Sequence, residues 1–254
     1  MKITELISAF DLPAGVLVEQ RVPKKLLVEN GAPTAADKRR INEGIEELHW
    51  VAALKPNSIG VPEYRDELRE YLEIAVLSVI LRPTAKAARI SELVHRAVPY
   101  PLVLIIVQES DLILSLAHKR WAQNEADKIV LEGDLVEVDL PNSPPSGADT
   151  FALFLGSLSL ASQPRTHLFA LYQGWLDMLL ALQAAHLTGT FAPATTIEQA
   201  TARRQALQEC LSLEAKIASL ASAAAKERQI HRQVELNLEI KRLRAAHDAA
   251  REKI

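Results

Sequence analysis

The last proline of the chain is Pro193 and the last glycine is Gly189. Residues 194–254 therefore lack both of the residues that most readily interrupt helices. They are rich in Ala, Leu, Glu, Lys, Arg and Gln, the strong helix formers. This contrast predicts a compact body over residues 1–190 and a helical tail over 194–254. With 254 residues, 48% of them apolar, the chain can bury a core without covalent staples. Its one cysteine, Cys210, excludes an intramolecular disulfide and a cysteine-rich zinc site.

The tail carries a heptad seam. Cys210, Leu213, Ile217, Leu220 and Ala224 are spaced 3-4-3-4. Leu236, Ile240, Leu243 and His247 follow at 4-3-4, displaced by two residues from the first frame. Neither a stutter nor a stammer absorbs a shift of two. That change favours two helices folding back near Lys226–His231. The lack of proline and glycine, with Val234 and Leu238 still in the old frame, favours one rod of about 90 Å. An exposed seam allows a homodimer through the tail, whereas a hairpin satisfies itself. The tail holds eleven bases against eight acids, so the net charge of -3 divides into about +3 in the tail and -6 in the body. No aromatic residue lies in the tail, which argues against base stacking there.

The body reads as an α+β fold: a small mixed or antiparallel sheet with flanking helices, then the long helical extension. The sheet core is expected at about 72–140 and further helices at about 150–188. Thr34 with Asp37 resembles a capping box, and Ile41, Ile45, Leu48 and Ala52 repeat at helical spacing up to Pro56. LEIAVLSVIL, residues 72–81, predicts a strand buried on both faces. Residues 86–97 predict a helix with Ile90, Leu93, Val94 and Ala97 on one face. PLVLIIVQ and LILSLAHK predict a hairpin turning over Gln108–Asp111. A second hairpin is predicted at Gly133-Asp134. Residues 141–149 read as a loop. Phe151, Phe154, Leu155 and Leu158 share a helical face. Residues 166–187 predict a helix, long enough to cross a bilayer but interrupted by Gln173, Asp177, Gln183 and His186. The polar interruptions favour a core helix over a membrane span. The N-terminal residues MKITELISAFDLP lack the basic end and long apolar run of a signal peptide, so a cytoplasmic location is expected.

Catalytic signatures are sparse. No glycine-rich phosphate loop and no nucleophile elbow occur. Cys210 occupies an apolar seam position, which suits packing better than nucleophilic chemistry. His231 and Glu235 at i, i+4 read as a surface pair, and no metal or other cofactor is expected. His118-Lys119-Arg120 ends a predicted strand, a position that often carries sites. Lys119 as the lysine of a metal-dependent nuclease requires an acid two residues earlier, where Ala117 stands. Glu73 and Glu109 are the remaining weak nuclease candidates. Candidates for binding nucleic acid or a partner are Lys24, Lys25, His118, Lys119 and Arg120 in the body. In the tail they are Lys226, Arg228, Arg232, Lys241, Arg242 and Arg244. Tyr172, Gln173 and Trp175 offer a docking surface, although Trp175 on an apolar helix face suits a core.

VPKKLLVENGA, HRAVPYPLVLIIV, LSLAHKRW, LYQGWLDMLLALQAA and KERQIHRQVELNLEIKRLR occur in this order. Together, from about Val22 to Arg244, they resemble a bacterial family known as domain of unknown function 4391. The resemblance carries no catalytic motif. It implies a setting beside DNA methyltransferases and helicases in restriction-like or phage-defence loci. The expectation is a non-enzymatic accessory subunit bridging a helicase or methyltransferase. A nucleic-acid-binding module and a degenerate nuclease are the alternatives.

Overall fold

The computed structural model describes residues 1–123, 128–140 and 148–254. The elements, in order, begin with α1 (Ile3–Ala9), β1 (Leu17–Arg21), α2 (Lys24–Gly31) and α3 (Ala35–Gly44). They continue with β2 (Ile45–Leu54), α4 (Pro56–Ile59), β3 (Tyr64–Arg65), β4 (Glu70–Tyr71) and β5 (Ile74–Leu81). Next come α5 (Ala87–Ala97), β6 (Leu102–Gln108), β7 (Asp111–Trp121) and β8 (Ile129–Leu140). The helices α6 (Ala148–Ser157), α7 (Leu168–Thr188), α8 (Ile197–Lys226) and α9 (Ile230–Arg251) complete the chain.

Among the described residues, six strands form one sheet in the order β1-β2-β5-β6-β7-β8. Every neighbouring pair is antiparallel except β5–β6, whose parallel register runs from Ala75↔Leu102 to Leu81↔Gln108. Parallel neighbours need a crossover, and α5 supplies it. Strands β5 and β6 are apolar and almost entirely buried, as predicted from their continuous hydrophobic runs. One sheet face presents Leu77, Val79, Leu104 and Ile106 to Leu27, Ile41, Ile90, Leu93 and Val94, which come from α2, α3 and α5.

Two expectations fail for the same reason. The spacing of Ile41, Ile45, Leu48 and Ala52 is not one helix: α3 stops at Gly44 and β2 begins. A Cβ at Gly44 would lie 2.6 Å from Ile90 Cδ1, so the helix ends packed closely against α5. Bulges between Ile45 and Glu47, and between Trp50 and Ala52, then insert extra residues into the strand. They convert a period of two into spacings of three and four, imitating a helix. The hairpin predicted at Gly133-Asp134 is likewise absent, because β8 continues through it. His118 faces Glu132 and Leu116 faces Val136, so β8 spans four residues where β7 spans two. Gly133, at φ 74°, takes up the excess. The sheet also extends beyond 72–140, since β1 and β2 belong to it.

The turn at Gln108–Asp111 and the helix over 87–97 match expectation. The predicted loop at 141–149 falls mostly outside the described residues, and α6 already begins at Ala148. α7 is long and apolar enough to cross a membrane, yet 67% of its most apolar window is buried inside the protein. Leu168, Leu171, Tyr172, Trp175, Leu179 and Leu182 are all buried. The Trp175 indole donates to Leu158 O (2.8 Å) and meets Phe10 edge-on at 5.3 Å. Tyr172 and Trp175 therefore cannot form a docking surface; they are core.

The chain divides into two compact units, Met1–Leu179 and Leu180–Ile254. In the second, Thr196 caps α8 by accepting from the Gln199 amide. Residues Glu227–Gln229 separate α8 from α9, and the Glu227 carboxylate accepts from the Arg228 and Gln229 amides. Contacts between the two helices include Gln233 with Ala224 O, His247 with Glu214 and Lys253 with Glu209. Cys210, Leu213, Ala224 and Ile240 are buried, and Ile217, Leu220, Leu236, Leu243 and His247 are partly covered. Val234 and Leu238, which keep the older frame, are 50% and 54% exposed.

Candidate functional site

Strand β7 ends with alternating side chains that serve opposite faces of the sheet. His118 points to the α7 face. The Tyr71 hydroxyl donates to His118 Nδ1 (2.5 Å). That leaves Nε2–H to donate to Gln173 Oε1 (2.8 Å), and Gln173 Nε2 donates to Asp177 Oδ1 (2.7 Å). Each donor in this chain thus fixes the role of the next group. Tyr172 crosses nearby: its hydroxyl accepts the Ala117 amide and lies 2.8 Å from Leu102 O and 3.0 Å from Ala117 O. Burial raises both tyrosine pKa values, keeping the hydroxyls neutral. Phe169 stacks beside His118, with the Arg69 guanidinium 5.4 Å from its ring centroid. Arg69 also forms a two-point pair with Glu132 on β8.

Lys119 points to the α5 face and is 3% exposed. Its ammonium donates to Val98 O, the carbonyl at the C-terminal cap of α5. A cation is favoured there by the helix dipole, by about 1 kcal/mol. Burial opposes the charge and pushes the Lys119 pKa down to about 7. Beside it runs a second chain of polar groups. Ser91 donates to Glu137 Oε1 (2.5 Å), so the Ser115 hydroxyl, 3.1 Å away, donates to Ser91. His95 Nε2 then donates to Ser115 (3.0 Å), which leaves the His95 Nδ1 lone pair buried without a partner. Burial, reinforced by the Lys119 charge, holds the His95 pKa well below its usual value. Glu137 lies on the wall of a groove of about 840 Å³ that Glu92 and Arg96 of α5 also line. The chain thus leads from that groove to a neutral imidazole next to an easily neutralised lysine.

Other candidate residues have simpler roles. Lys24 donates to Ile45 O (2.6 Å) and Asn42 O (3.3 Å), satisfying carbonyls at the end of α3. Lys25 is exposed and pairs with Glu29. Arg120 donates to Trp121 O. The nuclease candidates do not come together. Glu73 lies at the start of β5 and pairs with Lys55 (3.6 Å). Glu109 lies in the β6–β7 turn, at the opposite end of β7 from Lys119, roughly 25 Å away at strand rise. Ala117, where the missing acid would stand, is wholly buried beneath Tyr172. Among the described residues, no three His, Cys, Asp or Glu side chains converge as metal ligands. Lys226, Arg228, Arg232, Lys241, Arg242 and Arg244 are all exposed on the second unit.

Sequence reasoning missed Ser91, His95, Ser115, Glu137 and Tyr71. A signal existed: Ser91 and His95 sit four apart within the apolar stripe of α5, where polar groups need buried partners. Asp37 was read as a capping residue, but its carboxylate also takes a two-point pair from Arg89 and a bond from Arg40. These bonds hold its pKa far below the usual carboxylate range. No curated protein and no solved structure matches this chain. A family profile does, covering residues 10–246. The chain belongs to the family described as Domain of unknown function (DUF4391).

Proposed function

We propose that this protein is a non-enzymatic accessory subunit of a bacterial DNA modification–restriction or anti-phage complex. Its two C-terminal helices act as a helical hairpin that contacts a helicase or methyltransferase partner. The observation that carries this reading is the exposed, net-basic surface of the second unit. In the body, Lys24, His118 and Lys119 bond to internal acceptors or partners. In the second unit, Lys226, Arg228, Arg232, Lys241, Arg242 and Arg244 stay exposed. Residues 194–254 carry eleven bases against eight acids, and a net positive surface steers association with an acidic one.

Affinity purification of the full chain from its native host tests this reading. The partner enzymes should co-elute, and removing residues 194–254 should release them. A chain that elutes alone, and a truncation that leaves defence intact, would end the proposal.

The same exposed bases support a second reading, direct binding to DNA. Affinity should then fall steeply with salt, and Arg228→Glu with Arg232→Glu should weaken it further. No binding to single- or double-stranded DNA at low salt would remove this alternative.

A further inference from the structure

Helix α9 carries two heptad frames, and α8 accounts for one of them. Leu236, Ile240, Leu243, His247 and Ala250 are the buried or half-buried positions, on the side where α9 meets α8. The second frame, His231, Val234, Leu238, Lys241, Ala245 and Asp248, repeats at 3-4-3-4-3 and points away from the first. Leu238 and Val234 are half exposed, and Ile230, which flanks them, is 79% exposed. An isolated exposed leucine needs no explanation. Three large apolar side chains at i, i+4 and i+8 on one helix face describe a seam awaiting another helix.

We infer that this outer seam pairs α9 with α9 of a second copy, antiparallel and about a two-fold axis. The charge pattern selects both the occupant and the direction. With Leu238 opposite Lys241 of the second copy, Val234 falls opposite Ala245 and His231 opposite Asp248. The flanking Glu235 then meets Arg242 of the second copy, and two-fold symmetry repeats every pairing. The Lys241 stem covers Leu238 while its ammonium reaches water. A parallel pair in register would instead set Lys241 against Lys241. The bonds that must yield are weak ones, Arg242–Glu239 at 3.5 Å, Glu235–His231 at 3.2 Å and Asp248–His247 at 3.8 Å. Pairing completes a four-helix arrangement of two α8–α9 units. This inference does not depend on capture of a helicase or methyltransferase.

Sedimentation velocity of the full chain over a concentration series tests the inference. A concentration-dependent dimer is expected. Val234→Glu with Leu238→Glu should abolish it without loss of helical circular dichroism, because both side chains are exposed. Glu235→Arg should weaken the dimer by about tenfold, since two symmetric pairs become repulsive. Adding Arg242→Glu to that variant should restore it. A monomer at every soluble concentration would overturn the inference. So would a dimer that survives the Val234 and Leu238 changes, or a double charge reversal that fails to rescue. Co-purification of partner enzymes is a separate readout, so the accessory-subunit reading stands or falls independently.

Discussion

His118 and Lys119 are neighbours in sequence, yet they inhabit opposite kinds of interior. On the α7 face, both ring nitrogens of His118 are bonded and the chain Tyr71–His118–Gln173–Asp177 continues without a gap. On the α5 face, Lys119 has a helix-end carbonyl, and His95 keeps a buried nitrogen without a partner. A completed network stabilises and specifies a packing arrangement, whereas a partial one costs stability. The contrast shows that one face of β7 is built for cohesion. The other keeps a neutral imidazole with an unpartnered nitrogen and a lysine whose charge burial opposes.

Truncating the cohesive face should give the largest effects. Trp175→Ala removes a buried indole and its bond to Leu158 O, and should cost about 3–5 kcal/mol in urea unfolding. His118→Ala leaves the Tyr71 O–H without its acceptor and the Gln173 carbonyl oxygen without its His118 donor, at about 2–3 kcal/mol. A loss under half a kilocalorie would show that the network does not hold α7 to the sheet. Lys119→Met on the other face should cost about 1 kcal/mol or less at pH 7, or even stabilise. It fills a similar volume and removes a desolvation penalty.

The pH dependence sharpens the contrast. Lys119 has a folded pKa near 7 and a usual value of 10.5. Between these limits the unfolded chain binds the extra proton, so stability should rise with pH from about 7 towards 10. The slope is at most about 1.4 kcal/mol per unit. Measurements should stop near pH 10, where unfolded tyrosine begins to ionise while Tyr71 and Tyr172 remain protonated. The rise should vanish in Lys119→Met, and an unchanged slope would assign it to another group. The smallest effect is expected at Arg120→Gln, since this partly exposed side chain, among the described residues, bonds to the adjacent Trp121 carbonyl. Its midpoint in urea should barely move.

The legible parts of this fold are those whose signal is local. The continuous apolar runs of β5 and β6, the stripe of α5 and the apolar face of α7 each describe themselves, because burial follows the period of the element. β2 and β8 were misread because a bulge changes the period without changing composition. Ile45, Leu48 and Ala52 mimic a helix, and Gly133-Asp134 mimics a turn. Lys119 was recognisable as unusual, but its acceptor Val98 lies 21 positions away, beyond the β6–β7 hairpin. The partners of His95 lie on β7, and Glu137 reaches them through Ser91 from β8. No spacing rule links such residues.

The absence of proline and glycine after Pro193, together with two heptad frames out of phase, was enough to predict a helical tail and its two apolar seams. Helix propensity and periodicity are properties of adjacent residues, so they survive without a fold. Tertiary structure decided the rest. It buried the α9 frame that meets α8 and left the other exposed. It also turned Lys24 and Lys119 from candidate phosphate ligands into caps for helix carbonyls. Which acceptor a cation meets depends on elements distant in the chain, and only their packing brings them within hydrogen-bond reach.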